Sequence, residues 1–340
     1  MQEALNIGIV GATGAVGQEI LRCLELLDFP IKKLLLMASA RSKGKRFCTK
    51  WGEFQVENAH DADFQGLDIV FFSAGKDTSL ALAQKALHAG AYVIDNTSAF
   101  RMQANTALVV PEVNAHEIPK KPSLIANPNC STIQLVLALK AIHDAAGLRS
   151  VRVATYQSCS GAGQKGIDAL IDETKTALNG TRLSDSTVHA RGIAFDVVPQ
   201  IGAFLSDGYS EEELKMIQET QKILALPELA ISATCVRVPV LRGHSEAVFV
   251  TTRKKLSTQE AKNILANAKG LVLSDLNDPS QYPTATQADG KLQSYVGRVR
   301  QDYADPNGIC FWLVSDNLLK GAALNAVQIA QYLLNLNPST

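Results

Sequence analysis

The chain has 340 residues, enough for two domains with cores of their own, since domains usually run to roughly 100–200 residues. Its 33 basic residues balance 33 acidic ones, which excludes a global field favouring nucleic acid or an anionic membrane and leaves any anion site to local groups. Six cysteines are spread without Cys-x-x-Cys pairs or nearby histidines, a spacing that argues against a zinc site and a disulfide framework and for reduced thiols.

The first residues run straight into a strand with no basic leader, and no apolar run reaches the roughly 18 residues of a membrane span. A cytoplasmic protein is expected. Residues 5–10 are a β-rich run ending in Gly11-Ala12-Thr13-Gly14-Ala15-Val16-Gly17, after which Ile20, Leu21, Leu24 and Leu27 recur at helical spacing. Strand, glycine turn and helix follow in that order. Glycines such as Gly11 and Gly14 permit a tight turn and close approach of backbone to a pyrophosphate, which the helix N-terminus then holds. The spacing is looser than the dinucleotide fingerprint and would also serve a plain strand-to-helix turn, but its place in the first βα unit points to dinucleotide binding.

The next strand, residues 33–38, should meet the adenosine ribose. An NAD enzyme puts Asp or Glu at its end; here the chain has Ser39-Ala40-Arg41-Ser42-Lys43-Gly44-Lys45-Arg46. Cation plus hydroxyl suits a 2′-phosphate, so NADP is the expected cofactor, although a solvated basic loop would read the same way. Residues 68–73 form a buried-type strand, followed by Ala74-Gly75 and a helix through Leu80, Leu82, Ala83, Ala86 and Leu87, and residues 91–95 are the next strand. This alternation is that of a doubly wound parallel sheet, whose ligands collect beyond the carboxyl ends of the strands. Ser73, Gly75, Asn96, Ser98 and Arg101 fall at such ends, and Arg101 is either a solvated side chain or a cation for an anionic ligand.

Residues 108–111 and 123–126 read as further short strands. The second leads into Asn127-Pro128-Asn129-Cys130-Ser131-Thr132, and Ile133, Leu135, Val136, Leu139 and Ile142 then mark a helix. Cys130 falls in its first turn, where open N–H groups and the helix dipole favour a thiolate and could receive an oxyanion. A cysteine there is also simply a small buried hydrophobe in many proteins.

Residues 150–158 are a strand ending in Cys159-Ser160-Gly161-Ala162-Gly163, with a helix over 165–178. Longer strands follow at 231–241, 244–252, 292–299 and 309–314, with helices over 211–224 and 258–269. The pattern is α/β overall: a Rossmann-like doubly wound sheet, then an α+β domain with a mixed, largely antiparallel sheet suited to a substrate site and to subunit pairing. A last helix over 318–336 is apolar enough to pack back on the first domain. The expected domains are residues 1–127 completed by 318–340 for the cofactor, and 128–317 for catalysis, substrate and dimerisation.

A thiolate attacking an activated carbonyl needs an acid/base group and cations. His244 opens a strand after Arg242-Gly243, which would put its imidazole on an exposed strand end. Arg237 reads as mid-strand, where a charge is costly unless paired by a substrate carboxylate or an internal acid. Glu212 and Lys215, three apart on a helix, read as a surface ion pair of a few tenths of a kcal/mol.

With these residues in hand, the chain resembles the aspartate-semialdehyde dehydrogenases over nearly its whole length. The resemblance rests on Gly-Ala-Thr-Gly-Ala-Val-Gly at 11–17, Ala-Ser-Ala-Arg-Ser-Lys-Gly-Lys at 38–45, Asp-Asn-Thr-Ser-Ala-Phe-Arg-Met at 95–102, Val-Val-Pro-Glu-Val-Asn at 109–114, Asn-Pro-Asn-Cys-Ser-Thr at 127–132, Thr-Tyr-Gln-Ser at 155–158, Ser-Gly-Ala-Gly at 160–163, Glu-Thr-Gln-Lys-Ile-Leu at 219–224, and Thr-Cys-Val-Arg-Val-Pro-Val at 234–240 with His244-Ser245-Glu246. It implies NADPH-dependent, reversible reductive dephosphorylation of L-aspartyl 4-phosphate to L-aspartate 4-semialdehyde through a cysteine acyl-thioester. That reaction serves lysine, diaminopimelate, threonine, methionine and isoleucine biosynthesis.

The same resemblance makes Cys130 the nucleophile and His244 the acid/base, with Gln157, Arg237 and Glu212 on the substrate and Arg101, Asn129 and Lys215 on phosphate. Thr13, Gly14, Ala15, Val16, Arg41, Ser42, Ser160, Gly161 and Asn317 would touch NADP, and Gly11 and Ser73 border them. Three consecutive glutamates at 211–213 leave the register of Glu212 open by one residue. Cys159 is expected to be inert. Homodimers are usual in the family, no metal is implied, and the substrates are small molecules. An N-acetylglutamyl-phosphate reductase is the nearest alternative, separated by whether the substrate carries a free α-ammonium; a non-catalytic dinucleotide-binding paralogue is the alternative of another class.

Overall fold

The computed structural model describes residues 4–181, 185–274, 278 and 280–336. The outer ends of the expected domain spans, residues 1–3 and 337–340, lie outside the described residues, as do 182–184, 275–277 and 279. Two compact units form, one running to Asn129 and resuming at Ala322, the other spanning Cys130–Gly321.

In the first unit, strands β1 (Leu5–Val10), β2 (Ile31–Ala38), β3 (Glu57–Asn58), β4 (Ile69–Phe72), β5 (Tyr92–Asp95), β6 (Ala107–Leu108) and β7 (Leu124–Ala126) make one sheet in the order β3-β2-β1-β4-β5-β7-β6. All its described pairings are parallel. Parallel sheets are covered on both faces and so read as continuous apolar runs, as β4 does with all four residues buried. Helix α1 (Ala15–Leu26) buries Ile20, Leu21 and Leu24, and α2 (Lys76–His88) buries Leu82, Ala83 and Ala86. The C-terminal helix Leu324–Leu336 packs on α1 and β5. Its Asn325 amide donates to Val109 O (2.9 Å) and Asn127 Oδ1 (2.7 Å), so buried polar groups as well as apolar ones fix it there.

Two expectations for this unit change. The basic stretch continues into an antiparallel hairpin, Arg46–Thr49 with Gly52–Gln55. The strand expected over 108–111 stops at Leu108, and Pro111 opens a short helix, Pro111–Asn114. Proline lacks an N–H for a ladder but has the φ of a first helical residue, and Asn114 ties the turn by accepting from Val110 N and donating to Leu108 O, both at 2.9 Å.

The second unit opens with helix α3 (Cys130–Ala146), followed by β8 (Leu148–Gln157), α4 (Gln164–Leu178), α5 (Glu211–Leu224), β9 (Ala230–Arg237), β10 (His244–Thr252), α6 (Thr258–Ala266), β11 (Leu271–Leu273), β12 (Ser294–Gln301) and β13 (Gly308–Ser315). The sheet order is β9-β8-β10-β13-β12-β11, with three antiparallel pairings inside and a parallel one at each edge. Period-two alternation along β10 turns His244, Glu246, Val248 and Val250 to the covered face, where α3 packs. Phe249, on the other face, is 37% exposed.

Strand β9 ends at Arg237, short of the expected residue 241, because Pro239 cannot extend the ladder. Arg237 is thus terminal instead of mid-strand, and its backbone exchanges bonds of 2.8 and 2.9 Å with Val198. The helix expected over 318–336 begins with a π-helical turn, Leu319–Ala323, ahead of its α-helical part, and the Asp316 carboxylate accepts from the N–H groups of Leu318 and Leu319 at 2.9 and 3.1 Å.

Candidate active site

In the first unit the glycine turn has the shape that a close-lying anion needs. Gly11 has φ +93°, a region that side chains other than glycine's disfavour, and a Cβ there would stand 2.8 Å from Ala74 N. A Cβ on Gly17 would stand 2.1 Å from Gly11 O, so α1 begins tight against the turn. Gly14 precedes α1 with no side-chain cap, and its first turn, which includes Ala15 and Val16, holds no acid. Those N–H groups therefore face outward at a positive helix end.

Thr13 Oγ1 donates to Ser42 Oγ at 3.3 Å, joining the glycine turn to the basic loop. Arg41 is exposed in the 3-10 turn Ala40–Ser42. No carboxylate stands between Ala38 and Arg46. Ser73 Oγ donates to Val10 O at 3.3 Å and so sits at the end of β1. Arg101 is buried, 8% exposed, with Nη2 on Asn96 O at 2.8 Å, so it is not the solvated loop arginine that a sequence alone allows. Asn129 is buried at the end of this unit.

The second unit gathers the other candidates. Cys130 is the first residue of α3 and partly buried; Gly321 packs so closely that a Cβ there would lie 3.0 Å from Cys130 Cβ. His244 is fully buried, where an exposed strand end was expected. The loop after β8 covers it: Ser158 N and Ser158 Oγ each lie 3.1 Å from His244 Nδ1. Burial, and next the Arg237 guanidinium, hold the imidazole well below its ordinary titration range, so it is neutral at pH 7. Its Nε2 is buried without a hydrogen-bond partner among the described residues.

Asn317 Oδ1 is the hub beside it, taking Gly243 N–H at 2.9 Å and Ser160 Oγ at 3.0 Å, with Ser158 Oγ 3.1 Å away. Arg237, 7% exposed, donates from Nη1 to Ser158 O at 2.7 Å and has no carboxylate partner among the described residues. Gly161 lies against both groups: a Cβ there would stand 2.6 Å from Arg237 Nη1 and 3.3 Å from His244 Nε2.

Gln157 Nε2 donates to Glu212 Oε1 at 3.3 Å, and Lys215 Nζ reaches Glu212 Oε2 at 3.2 Å. The pair is not a surface one, since the Glu212 side chain is only 8% exposed. The three neighbouring glutamates divide by role. Glu211 accepts from Ala203 N at 3.3 Å, Glu213 closes the helix cap with Ser210 N (2.7 Å) and holds Cys235 N (2.9 Å), and Glu212 faces Gln157. Arg101 and Asn129 belong to the first unit and Lys215 to the second.

Burial pushes the thiol of Cys159, which was expected to be inert, up to about 11. Two other groups fall outside the sequence reading. Glu246, two residues along the strand from His244, is fully buried, and among the described residues no hydrogen bond of good geometry reaches either carboxyl oxygen. Burial pushes it up to about 8, offset in part by the Gln134 amide of α3. The inward alternation of β10 was the available sign of this acid. Ser158 had no comparable sign, since its role depends on where the loop returns.

A family model of the semialdehyde dehydrogenase NAD-binding domain matches residues 6–121, and one of the semialdehyde dehydrogenase dimerisation domain matches residues 139–320. The chain is 47% identical to the aspartate-semialdehyde dehydrogenase of Bacillus subtilis, with 99% of both chains covered. It is 46% identical to that of Aquifex aeolicus, covering 97% of this chain and 98% of the relative. The crystal structure of aspartate semialdehyde dehydrogenase II from Vibrio cholerae complexed with ASA superposes with a TM-score of 0.94 at 44% identity, over 98% of this chain and 99% of that one. The cofactor of the first unit is accordingly a nicotinamide dinucleotide.

Proposed function

We propose, from the premise that the chain belongs to the aspartate-semialdehyde dehydrogenase family, that it reduces L-aspartyl 4-phosphate to L-aspartate 4-semialdehyde with NADPH, reversibly and through a thioester on Cys130. The observation that carries the substrate is Arg237, a buried guanidinium bonded to a carbonyl and, among the described residues, to no carboxylate. A buried cation of this kind favours an anionic partner, and the α-carboxylate of the substrate is that partner.

Cys130, at a helix N-terminus that favours the thiolate, attacks the acyl phosphate carbonyl, and first-turn N–H groups stabilise the oxyanion. Phosphate departs to the cations and amide of Arg101, Lys215 and Asn129. Gln157 and Glu212 hold the substrate, Glu212 taking the α-ammonium. That buried acid favours a free amino group over an N-acetyl group, and so this reading over N-acetylglutamyl phosphate. His244 handles the proton at the reacting oxygen. NADPH, when bound, supplies the hydride that takes the acyl group to the aldehyde level.

The residues suit that cofactor. The glycine turn Gly11, Thr13, Gly14, Ala15 and Val16, with Ser73 beside it, offers uncapped N–H groups to a pyrophosphate, and Ser160, Gly161 and Asn317 are the further cofactor contacts that the family resemblance implies. Arg41 and Ser42, in the absence of an acid there, suit the 2′-phosphate of NADP over the free hydroxyl of NAD.

The chain acts as a homodimer in the cytoplasm, in the synthesis of lysine and diaminopimelate, threonine, methionine and isoleucine. Supporting self-association, the outer face of the second unit's sheet presents a cavity of about 790 Å³ lined by Tyr156, Tyr282, Pro283, Arg298, Arg300 and Trp312 among others. Among the described residues no helix is long and apolar enough to cross a membrane. The test is reduction of NADP by aspartate semialdehyde, wild type beside Cys130→Ala. Activity that requires phosphate and is lost in the variant is expected; phosphate-independent turnover, or an active variant, contradicts the thioester route.

A further inference from the structure

His244 Nδ1 faces two groups of one residue, the backbone N–H and the hydroxyl of Ser158, each at 3.1 Å. A backbone N–H can only donate. The nitrogen opposite it must therefore present a lone pair, and a neutral imidazole with a lone pair on Nδ1 carries its proton on Nε2. An imidazolium would set Nδ1–H against Ser158 N–H, donor against donor, in a fully buried site beside the Arg237 guanidinium, whose charge also disfavours it. The hydroxyl of Ser158, whose one proton goes to Nδ1, is flanked by Ser160 Oγ at 2.9 Å and Asn317 Oδ1 at 3.1 Å. Among the described residues Nε2 is left buried with no hydrogen-bond partner, at the edge of the space that the missing side chain of Gly161 keeps open.

We infer that Ser158 is a positioning residue that fixes His244 with its proton on Nε2, so that the imidazole enters the reaction as a neutral donor to the reacting oxygen and not as the base that ionises Cys130. The inference rests on the proposed reaction and assigns its proton. When the Cys130 thiolate adds to the aldehyde, the electron pair of the C=O bond moves to oxygen, and Nε2–H is shared with that oxyanion. Loss of hydride to the oxidised cofactor restores the C=O bond as the thioester carbonyl, and the proton is back on Nε2. No net proton is taken up by the residue, and the thiolate has to come from the N-terminus of α3.

The test reads the tautomer directly. The protein is labelled with ring-15N histidine, the His244 signals are assigned by their loss in His244→Gln, and the correlations from ring carbon-bound protons show which nitrogen bears hydrogen. The expected result at neutral pH is protonated Nε2 and unprotonated Nδ1, with no imidazolium at about pH 6.5, where an ordinary histidine is half charged. Ser158→Ala, which keeps the N–H and removes the hydroxyl, should leave the proton on Nε2. It should lower kcat about fivefold, the weight of one hydrogen bond, with KM little changed, and Ser158→Thr should restore kcat.

Proton on Nδ1 or an imidazolium in the wild type overturns the inference, as does a Ser158→Ala variant with the wild-type kcat. Because the tautomer is read without substrate, failure here is distinct from failure of the proposed reaction, which the assay with phosphate decides.

Discussion

Replacement of Glu246 by glutamine should make the stability of the chain less sensitive to pH. Glu246 is fully buried, no hydrogen bond of good geometry from the described residues reaches its oxygens, and burial pushes it from an ordinary 4.5 up to about 8. The folded chain therefore keeps a proton that the unfolded chain releases above 4.5. Stability from this group is whole below 4.5 and is lost as pH rises through about 8, at about 1.4 kcal/mol per pH unit in between. By pH 7 the loss amounts to about 3 kcal/mol, a substantial share of the stability of an ordinary domain.

Glutamine has nearly the same shape, can still meet the Gln134 amide and does not titrate, so it removes the slope while adding only a constant. The assay is urea unfolding followed through Trp312, on the same sheet, with Trp51 replaced by phenylalanine in both chains and protein concentration held fixed. The advantage of Glu246→Gln over the parent should grow by about 2–3 kcal/mol from pH 5.5 to 7.5. Parallel profiles over that range would refute the reasoning, because they would mean that the carboxyl group ionises in the fold as it does in water.

Gly161→Ala should lower kcat/KM at least tenfold without unfolding the chain, because the added methyl would press on Arg237 Nη1 and His244 Nε2 at 2.6 and 3.3 Å; steady-state kinetics with a thermal melt as control checks it. Arg237→Lys should raise KM for aspartate semialdehyde about tenfold or more, since an ammonium cannot hold the Ser158 carbonyl and a carboxylate in one planar fork. Arg41→Asp should shift preference from NADP toward NAD by at least about tenfold in the ratio of kcat/KM values. Brief alkylation of the native chain at pH 8 should label Cys130 and exposed Cys48 and spare Cys159, whose buried thiol is pushed up to about 11; peptide mass mapping reads the difference.

The segments legible in the sequence are those whose pattern is local. The strand, glycine turn and helix at the start, the Cys130 helix and strand β10 follow from periodicity and turn residues, and they carry much of the candidate site. The signals that failed depend on the return of distant chain. His244 opens a strand after a glycine turn, a position that reads as exposed until residues 158–161 fold over it. Arg237 reads as mid-strand although Pro239, two residues on, already carried the stop. The difference between Glu212 and Glu213 is a difference of helix face and cap, and it needs the positions of Gln157 and Cys235 to become visible. Glu246 was within reach, because the same alternation that buries Val248 and Val250 buries it.

The most direct test of the thioester is a single-turnover measurement without phosphate. Mixing enzyme, NADP and aspartate semialdehyde should give a rapid burst of NADPH approaching one per active site, followed by near arrest, and added phosphate should release steady turnover. Cys130→Ala should show no burst. Steady turnover without phosphate from the start, or a burst that survives in Cys130→Ala, would contradict an acyl group held on Cys130.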